Sequence, residues 1–342
     1  MKNWMKAGLA ALAGALLATA AHAQDKTYTI ALSNGWVGSE WRTQMIQEAE
    51  AAAKAWADKG VTVNVVVQSK NVDVNGQIAD IRNFIGQGVN AIIINPNSPT
   101  AFNPTFAQAK AAGIPVFAVD GEVTSKDAIF VGIDQKQFAS LSTQWLVDTL
   151  GGKGEIVAIN GIAGHPANQA RVEGFKSVVE KYPDIKVVNE ANADWDNAKS
   201  QQVTQTLLAT YPNLAGIWTQ DGQADGVWKA LSAANKTNLP TTGDLRKSFV
   251  KQWVDGKWNA AVSANPPGVM ATALNVAVLM LEGNKLKDGV LKGPNGNSLY
   301  VDTYLVSNAN LEKAVKDLEP KPDTDVISFT VSPDELKTLF FQ

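Results

Sequence analysis

The sequence predicts an α/β protein of two similar lobes, each a parallel β-sheet sandwiched between helices. Three observations carry this expectation. From Thr27 onward short apolar runs alternate with longer amphipathic ones, the pattern of βαβ units. The alternation runs once to about Asp120, and a second series of the same kind starts after 128–132. Asn or Asp also stands where an apolar run gives way to polar residues, at Asn34, Asn95, Asp120, Asn160, Asp221 and Asp244.

Taken in order, the first strand is 28–34. Ser39 caps the next helix, which puts Trp41, Met45, Ile46, Ala49, Ala52, Ala53 and Trp56 on one face and stops at Gly60. A strand at 61–68, a helix near 75–87, a strand at 91–95 (AIIIN), a helix near 102–112 and a strand at 114–120 (IPVFAVD) complete the first series. The second has a helix at about 135–150, a strand at 155–160, a helix from Pro166 to about Lys181 and a strand at 185–189. It continues with a helix at 197–210, a strand at 214–220, a helix at 223–234, a strand at 241–244 and a helix at 247–254. A strand at 258–264 and a long helix at about 268–282 close the pattern.

Composition sets the class. The 342 residues, 45% of them hydrophobic, suffice for two cores. Residues 1–23 read as an export leader: Lys2 and Lys6, an apolar stretch over 7–20, and the small-x-small site Ala21-His22-Ala23. A membrane anchor needs roughly 20 apolar residues, more than this stretch has. Removing the leader takes the formal charge from −3 to −5, and an acidic chain without a basic tract does not suit nucleic acid. There is no cysteine, hence no disulfide, thiolate metal site or thiol nucleophile. Export without disulfides points to a bacterial periplasm.

One stretch concentrates hydrogen-bonding groups: GIAGHPANQAR at 161–171. It joins a strand to a helix, Pro166 suits a first helical position, and the helix N-terminus offers unpaired N–H groups. His165, Asn168 and Arg171 sit there, able to grip the hydroxyls of a small polar ligand; a solvated helix cap is the plainer alternative. Ligands of open parallel sheets bind outside the carboxyl ends of the strands. Six polar strand ends in register favour a shared interlobe cleft over six separate turns.

With these residues placed, the chain resembles the periplasmic sugar-binding proteins of ABC transporters, in the ribose/galactose-type branch (periplasmic binding protein type I). The resemblance spans nearly all of the chain after the leader. It rests on IIINPNSP at 92–99, IPVFAVD at 114–120, GIAGHPANQARVEGF at 161–175, NADWD at 192–196, TQDGQADGVWKAL at 219–231 and GD at 243–244. It implies that Asn95, Asp120, Arg171, Asp221 and Asp244 hydrogen-bond a monosaccharide, with His165 as in the glucose/galactose members. It implies Trp195 against one sugar face. GSEWR at 38–42, similar to galactofuranose-binding members, offers Trp41 and Arg42 for the other face, with Trp36 as substitute. Asn34 and Asn168 are further candidates. Trp56, Trp145, Trp218, Trp228 and Trp253 are read as core.

The chain departs from the ribose-type pattern at three places. Gly121 stands where an arginine is usual, Asp221 where an asparagine is usual, and Ala264 in place of a glutamine, with Asn265 serving as in the galactose type. The sugar class survives; ribose itself is disfavoured, with a lean towards galactose-like or arabinose-like sugars.

Other motifs lead nowhere. Asn71, Asp73 and Asn75 have part of a calcium loop's spacing, but its twelfth position is Arg82. GGKG at 151–154 precedes a strand, no serine has a nucleophile elbow, and Asp120 with Asp244 read as hydroxyl acceptors rather than a glycosidase pair. No catalytic residue, metal ligand or cofactor is expected.

The resemblance further implies three hinge crossings, near 132–134, 264–265 and 299–302. One lobe is then 24–133 with 265–299, the other 134–264 with 300–342, the tail from about Asn308 lying on the latter. Function follows as hinge closure on a monosaccharide and delivery to an inner-membrane ABC permease by a monomeric, periplasmic protein. A sugar sensor serving a chemoreceptor or sensor kinase is the alternative, and a sugar-processing enzyme the remote one.

Overall fold

The computed structural model describes residues 26–342, so the expected leader lies outside the described residues. The first lobe holds β1 (Lys26–Asn34), α1 (Glu40–Ala55), β2 (Val61–Ser69), α2 (Val74–Gln87), β3 (Ala91–Asn95), α3 (Asn103–Ala111), β4 (Val116–Ala118) and β5 (Ala128–Ile133). The second holds α4 (Gln135–Thr149), β6 (Gly154–Asn160), α5 (Pro166–Val179), β7 (Ile185–Asn192), α6 (Asn197–Thr210), β8 (Leu214–Thr219), α7 (Ala224–Ala233), β9 (Thr241–Thr242), α8 (Lys247–Gly256) and β10 (Ala260–Ser263). The chain then forms α9 (Val269–Leu281), β11 (Ser298–Val301), β12 (Leu305–Ser307), α10 (Leu311–Leu318) and α11 (Pro333–Phe340).

Local sequence accounts for the elements. The Ser39 hydroxyl accepts from Arg42 N, and Gly60 turns left-handed at φ 74° after a short 3-10 turn, ending the α1 segment where expected. Asp73, from the rejected calcium motif, caps α2 by accepting from Gly76 N. Every residue of β3 is buried, as in a strand covered on both faces. Trp56, Trp218, Trp228 and Trp253 are buried core residues, and Trp145 packs partly buried against the core.

The first sheet runs β2-β1-β3-β4-β5-β11, all parallel. The second runs β7-β6-β8-β9-β10-β12 and is parallel except that β12 lies antiparallel to β10. Winding reverses between β1 and β3 and between β6 and β8, so each sheet has a switch point where a crevice opens. Asn34 and Asn95 face each other in register at the first of these.

Two expected strands come out short for a reason that matters to the site. Pro115 has no N–H for the ladder, and Asp120 adopts φ 64°, so only Val116–Ala118 of 114–120 is strand. Likewise only Thr241–Thr242 of 241–244 pairs, which releases Asp244 from the sheet.

Three passes join the sheets: β5 to α4 at Asp134, β10 to α9 through 264–268, and β11 to β12 through 302–304. The division at 299/300 shifts, because Tyr300 and Val301 still pair with Gly132 and Ile133 of β5. The placing of the whole of 300–342 on the second lobe also needs correction. α10 packs on α8 of that lobe, but α11 packs on α9, which itself lies on α1, β3 and β5 of the first lobe. Leu336 is fully buried there, and Phe341 pairs with Leu286. Both helices are legible locally, α10 by Leu311, Ala314, Val315 and Leu318 at i, i+3, i+4, i+7 and α11 by the Ser332–Glu335 capping box with Pro333 at its first position; which lobe each packs on is not.

Candidate functional site

On the first lobe, α1 starts at the cleft and places Arg42 one turn in, 3% exposed. Its Nη1 donates to Asn34 Oδ1 (2.6 Å), and its Nη2 lies 4.0 Å from Asp120 Oδ2 and 3.2 Å from His165 Nε2 of the other lobe. The Trp36 ring covers the guanidinium at 5.4 Å. Trp41 Nε1 donates to the carbonyl oxygen of Asn265 (2.7 Å), anchoring the ring to the second pass. Asn95 Nδ2 donates to Asp120 Oδ2 (3.3 Å), and Asn95 Oδ1 is buried without a partner.

On the second lobe, Arg171 lies beneath the cleft. Its Nε donates to Gln135 Oε1 (2.7 Å), its Nη1 to Asp221 Oδ1 (2.6 Å), and its guanidinium stacks 4.1 Å from the Phe138 ring. Trp195 takes φ 56° and is pinned at both ends, Nε1 donating to Gln220 Oε1 (2.8 Å) and its backbone N to Gln223 Oε1 (2.9 Å). The ring fits only because residue 161 is glycine: a Cβ there would lie 2.1 Å from Trp195 Cε2. Asp244 Oδ2 accepts from Gly222 N (3.3 Å) and faces Arg246 Nη2 at 3.6 Å. Arg246 Nη1 also donates to Thr324 O (3.0 Å) and to Glu40 of the first lobe.

These side chains enclose a cavity with about 440 Å³ of unfilled space, its open mouth included. Nine of the sequence candidates line it: Trp36, Trp41, Arg42, Asp120, Arg171, Trp195, Asp221, Asp244 and Asn265. Asn95 and His165 stand one layer back, each touching a lining residue. Asn34 and Asn168 stand back as supports: Asn34 Nδ2 is taken by Trp36 O and Ser69, and Asn168 Oδ1 accepts from Gly161 N and Gln220 Nε2.

Sequence reasoning missed Ser39 as a lining residue and, more importantly, Arg246, Gly222, Val326 and Gln135. Gln135 does not line the cavity but ties it together, donating to Asp120 O (3.0 Å) while accepting from Arg171. The signal for Gln135 was its place beside the first expected crossing, one residue after Asp134, which caps α4. For Arg246 it was an arginine two residues after a strand-end aspartate.

Charge is balanced within the site. Arg42 faces Asp120, Arg171 faces Asp221, and Arg246 faces Asp244. Burial lowers Arg42 to about 10, against the pull of Asp120, so it stays cationic at neutral pH. Burial raises Asp120, with Arg42 and Arg171 opposing. Asp244 is raised to about 6 by burial, with Arg246 opposing and the Asp221 and Asp225 charges adding. His165 is pushed well below its usual range by burial and by the Arg42 and Arg171 charges. Nδ1 accepts from Ala167 N (3.3 Å), and Nε2 lies 3.2 Å from Arg42 Nη2; a neutral ring can accept at one of the two nitrogens, an imidazolium at neither.

Two sheets that bring Asp120, Asp221 and Asp244 from beyond their strand ends to one shared cavity define a two-lobed binding protein that takes its solute between the lobes. The sequence model of the periplasmic binding protein domain matches residues 30–285. The xylitol-binding protein of Mycolicibacterium smegmatis is 30% identical over 255 residues, 73% of this chain and 70% of that protein. The ribose import binding protein of Bacillus subtilis is 26% identical over 264 residues, 77% of this chain and 84% of that one. A solved ABC transporter solute binding protein from Thermobispora bispora superposes with a TM-score of 0.78 at 26% identity, covering 91% of this chain and 94% of its own. The chain belongs to the periplasmic binding protein family, whose members bind solutes rather than transform them.

Proposed function

We propose that this chain is the periplasmic solute-binding component of an ABC importer for a monosaccharide or related polyol. The observation that carries the reading is the cavity wall of three guanidinium–carboxylate pairs beside tryptophan rings. Paired charges present donors and acceptors without a net charge, which suits an uncharged, hydroxyl-rich molecule better than a sugar acid or a phosphate. Hydrogen bonds to charged groups contribute roughly 1.5–3 kcal/mol each. A few of them, with ring stacking on the C–H faces, reach the ~8 kcal/mol of micromolar binding. Xylitol and ribose in the names of the relatives support the same class of ligand.

The proposed working motion is a hinge between the lobes at the passes near 134, 264–268 and 302–304. A sugar held by residues of both lobes favours the closed arrangement by its differential contacts. The closed form is then what an inner-membrane permease engages. The protein acts as a monomer and reaches the periplasm through the leader 1–23.

Thermal unfolding against a panel of monosaccharides, polyols, sugar acids and amino acids tests this. A ligand at ~100 times its dissociation constant adds about 2.7 kcal/mol, a shift of several degrees. A shift with one or two neutral sugars or polyols supports the reading; a shift confined to sugar acids or amino acids refutes it.

A further inference from the structure

The chain beyond α10 returns to the first lobe, and the segment that makes the return is hydrogen-bonded on both sides. Towards the second lobe, Arg246 and Val326 pair antiparallel, with Lys247 N donating to Asp325 O (2.9 Å) and Ile327 N to Leu245 O (3.0 Å). In such a pair the N–H and C=O of Val326 itself point away from the partner strand. Gln44 of α1 meets both of them: its Nε2 donates to Val326 O (3.1 Å) and its Oε1 accepts from Val326 N (2.9 Å). A side-chain amide thus completes the pairing as a third strand would. Gln44 is 9% exposed and Val326 5%, so water does not compete for these bonds.

The contact continues onto the first lobe. Ser328 Oγ donates to Glu48 Oε2 (2.6 Å) and accepts from Gly268 N (2.9 Å), and Val331 N donates to Thr272 Oγ1 (3.0 Å). Tyr304 of the third pass lies beside Phe329, rings 6.5 Å apart, so the returning segment runs next to the hinge. The segment also borders the cleft, where Val326 is part of the cavity wall and Thr324 O holds Arg246.

We propose that residues 323–331 form a strap across the cleft, and that the clasp of Gln44 on the Val326 peptide holds the two lobes together. Its first half, 323–327, moves with the second lobe through the pairing to 245–248, while 328–331 stay with α1 and α9 of the first. Opening therefore pulls Val326 from Gln44 and hands its N–H and C=O to water. The clasp is then a term in the closed-to-open balance. The inference builds on the hinge motion proposed above, but it does not depend on which solute is bound.

The chain lacks native cysteines, so Lys54→Cys on α1 and Lys229→Cys on α7, both exposed positions, take one spin label per lobe. Interlobe distances are measured without ligand in this labelled parent, in the same chain carrying Gln44→Ala, and in one ending at Lys321. Loss of two neutral hydrogen bonds of ordinary net strength lowers the closed-to-open ratio about tenfold, seen as a longer-distance population in both variants. Distance distributions identical to the parent overturn the proposal, even if both variants melt earlier, because a tail that merely stabilises one lobe lowers the melting temperature without moving the labels. Should the shortened chain fail to fold, Gln44→Ala decides alone. Since no ligand enters the measurement, a failure of the sugar reading leaves its outcome intact.

Discussion

Arg42 of α1 and His165 at the start of α5 meet across the cleft, Nη2 to Nε2 at 3.2 Å, although they belong to different lobes. An imidazolium could accept from neither Arg42 nor Ala167, so the neutral ring is the form that fits. His165 titrates well below its ordinary value in the folded chain, whereas an unfolded histidine gains a proton near pH 6.5. Below that pH the unfolded chain binds more protons than the folded one, so stability falls as the solution is acidified. His165→Gln, which cannot titrate, is expected to flatten that part of the profile. Urea midpoints of parent and variant between pH 5 and pH 8 check it; parallel curves refute it.

Asp244 predicts the opposite slope. Its folded-state value is raised to about 6, so the ionised carboxylate is the form the fold disfavours. Stability from this group is greatest below the ordinary carboxylate range and declines as pH rises from about 4 through 6. The two values differ by enough to make the full change about 3 kcal/mol. Asp244→Asn is therefore expected to be neutral near pH 4 and stabilising by up to about 3 kcal/mol at pH 7.5. Sugar affinity should fall at least tenfold in the same variant, because a charged acceptor is lost. A variant no more stable than its parent at pH 7.5 contradicts the burial argument.

Much of this was readable from the chain. βαβ alternation is a periodic signal, so both sheets and most helix starts could be placed, and Asp120, Asp221 and Asp244 marked the cleft because several polar strand ends in register outweigh the turn or cap that each alone would suggest. What stayed hidden was relational. Asn34 and Asn168 carry the same residue type as a ligand contact, and only the structure shows their amides engaged in holding Arg42 and Gly161. Arg246 becomes part of the site because β9 ends two residues before Asp244, a boundary that no periodicity announces. Val326 belongs to a segment whose conformation is set by pairing with 245–248, eighty residues away in sequence and silent in any local window.

Gly161 shows how tightly a ring position is held. A methyl group there would meet Trp195 at 2.1 Å, and the ring cannot swing aside while Nε1 and the backbone N are both hydrogen-bonded. Gly161→Ala is expected to cost about 1–3 kcal/mol of stability, the usual range for overpacking. Near-ultraviolet circular dichroism should report the displaced indole. Sugar binding should weaken with it, whereas Gly86→Ala, whose added methyl would meet open space, should leave both readouts unchanged. An unaltered spectrum in Gly161→Ala would mean that the ring does not rest where it is described.

Arg171 separates charge from geometry. Its guanidinium serves Gln135 through Nε, Asp221 through Nη1 and the Phe138 face by stacking, all while 2% exposed. Arg171→Ala strips three partners at once and leaves Asp221 unpaired near the cleft, an expected loss of about 3–5 kcal/mol for a broken buried pair. A vanished sugar response in that variant alone would therefore be ambiguous between a lost contact and a loosened lobe. Arg171→Lys resolves it. Lysine keeps the charge beside Asp221 but offers neither a planar fork nor a flat face for Phe138. We expect the lysine variant to recover at least half of the lost stability while binding sugar at least tenfold more weakly than the parent. Calorimetric titration with the sugar identified by the thermal screen, alongside urea unfolding, measures both. Full affinity in the lysine variant would reduce Arg171 to a point charge and remove it from the set of directional contacts.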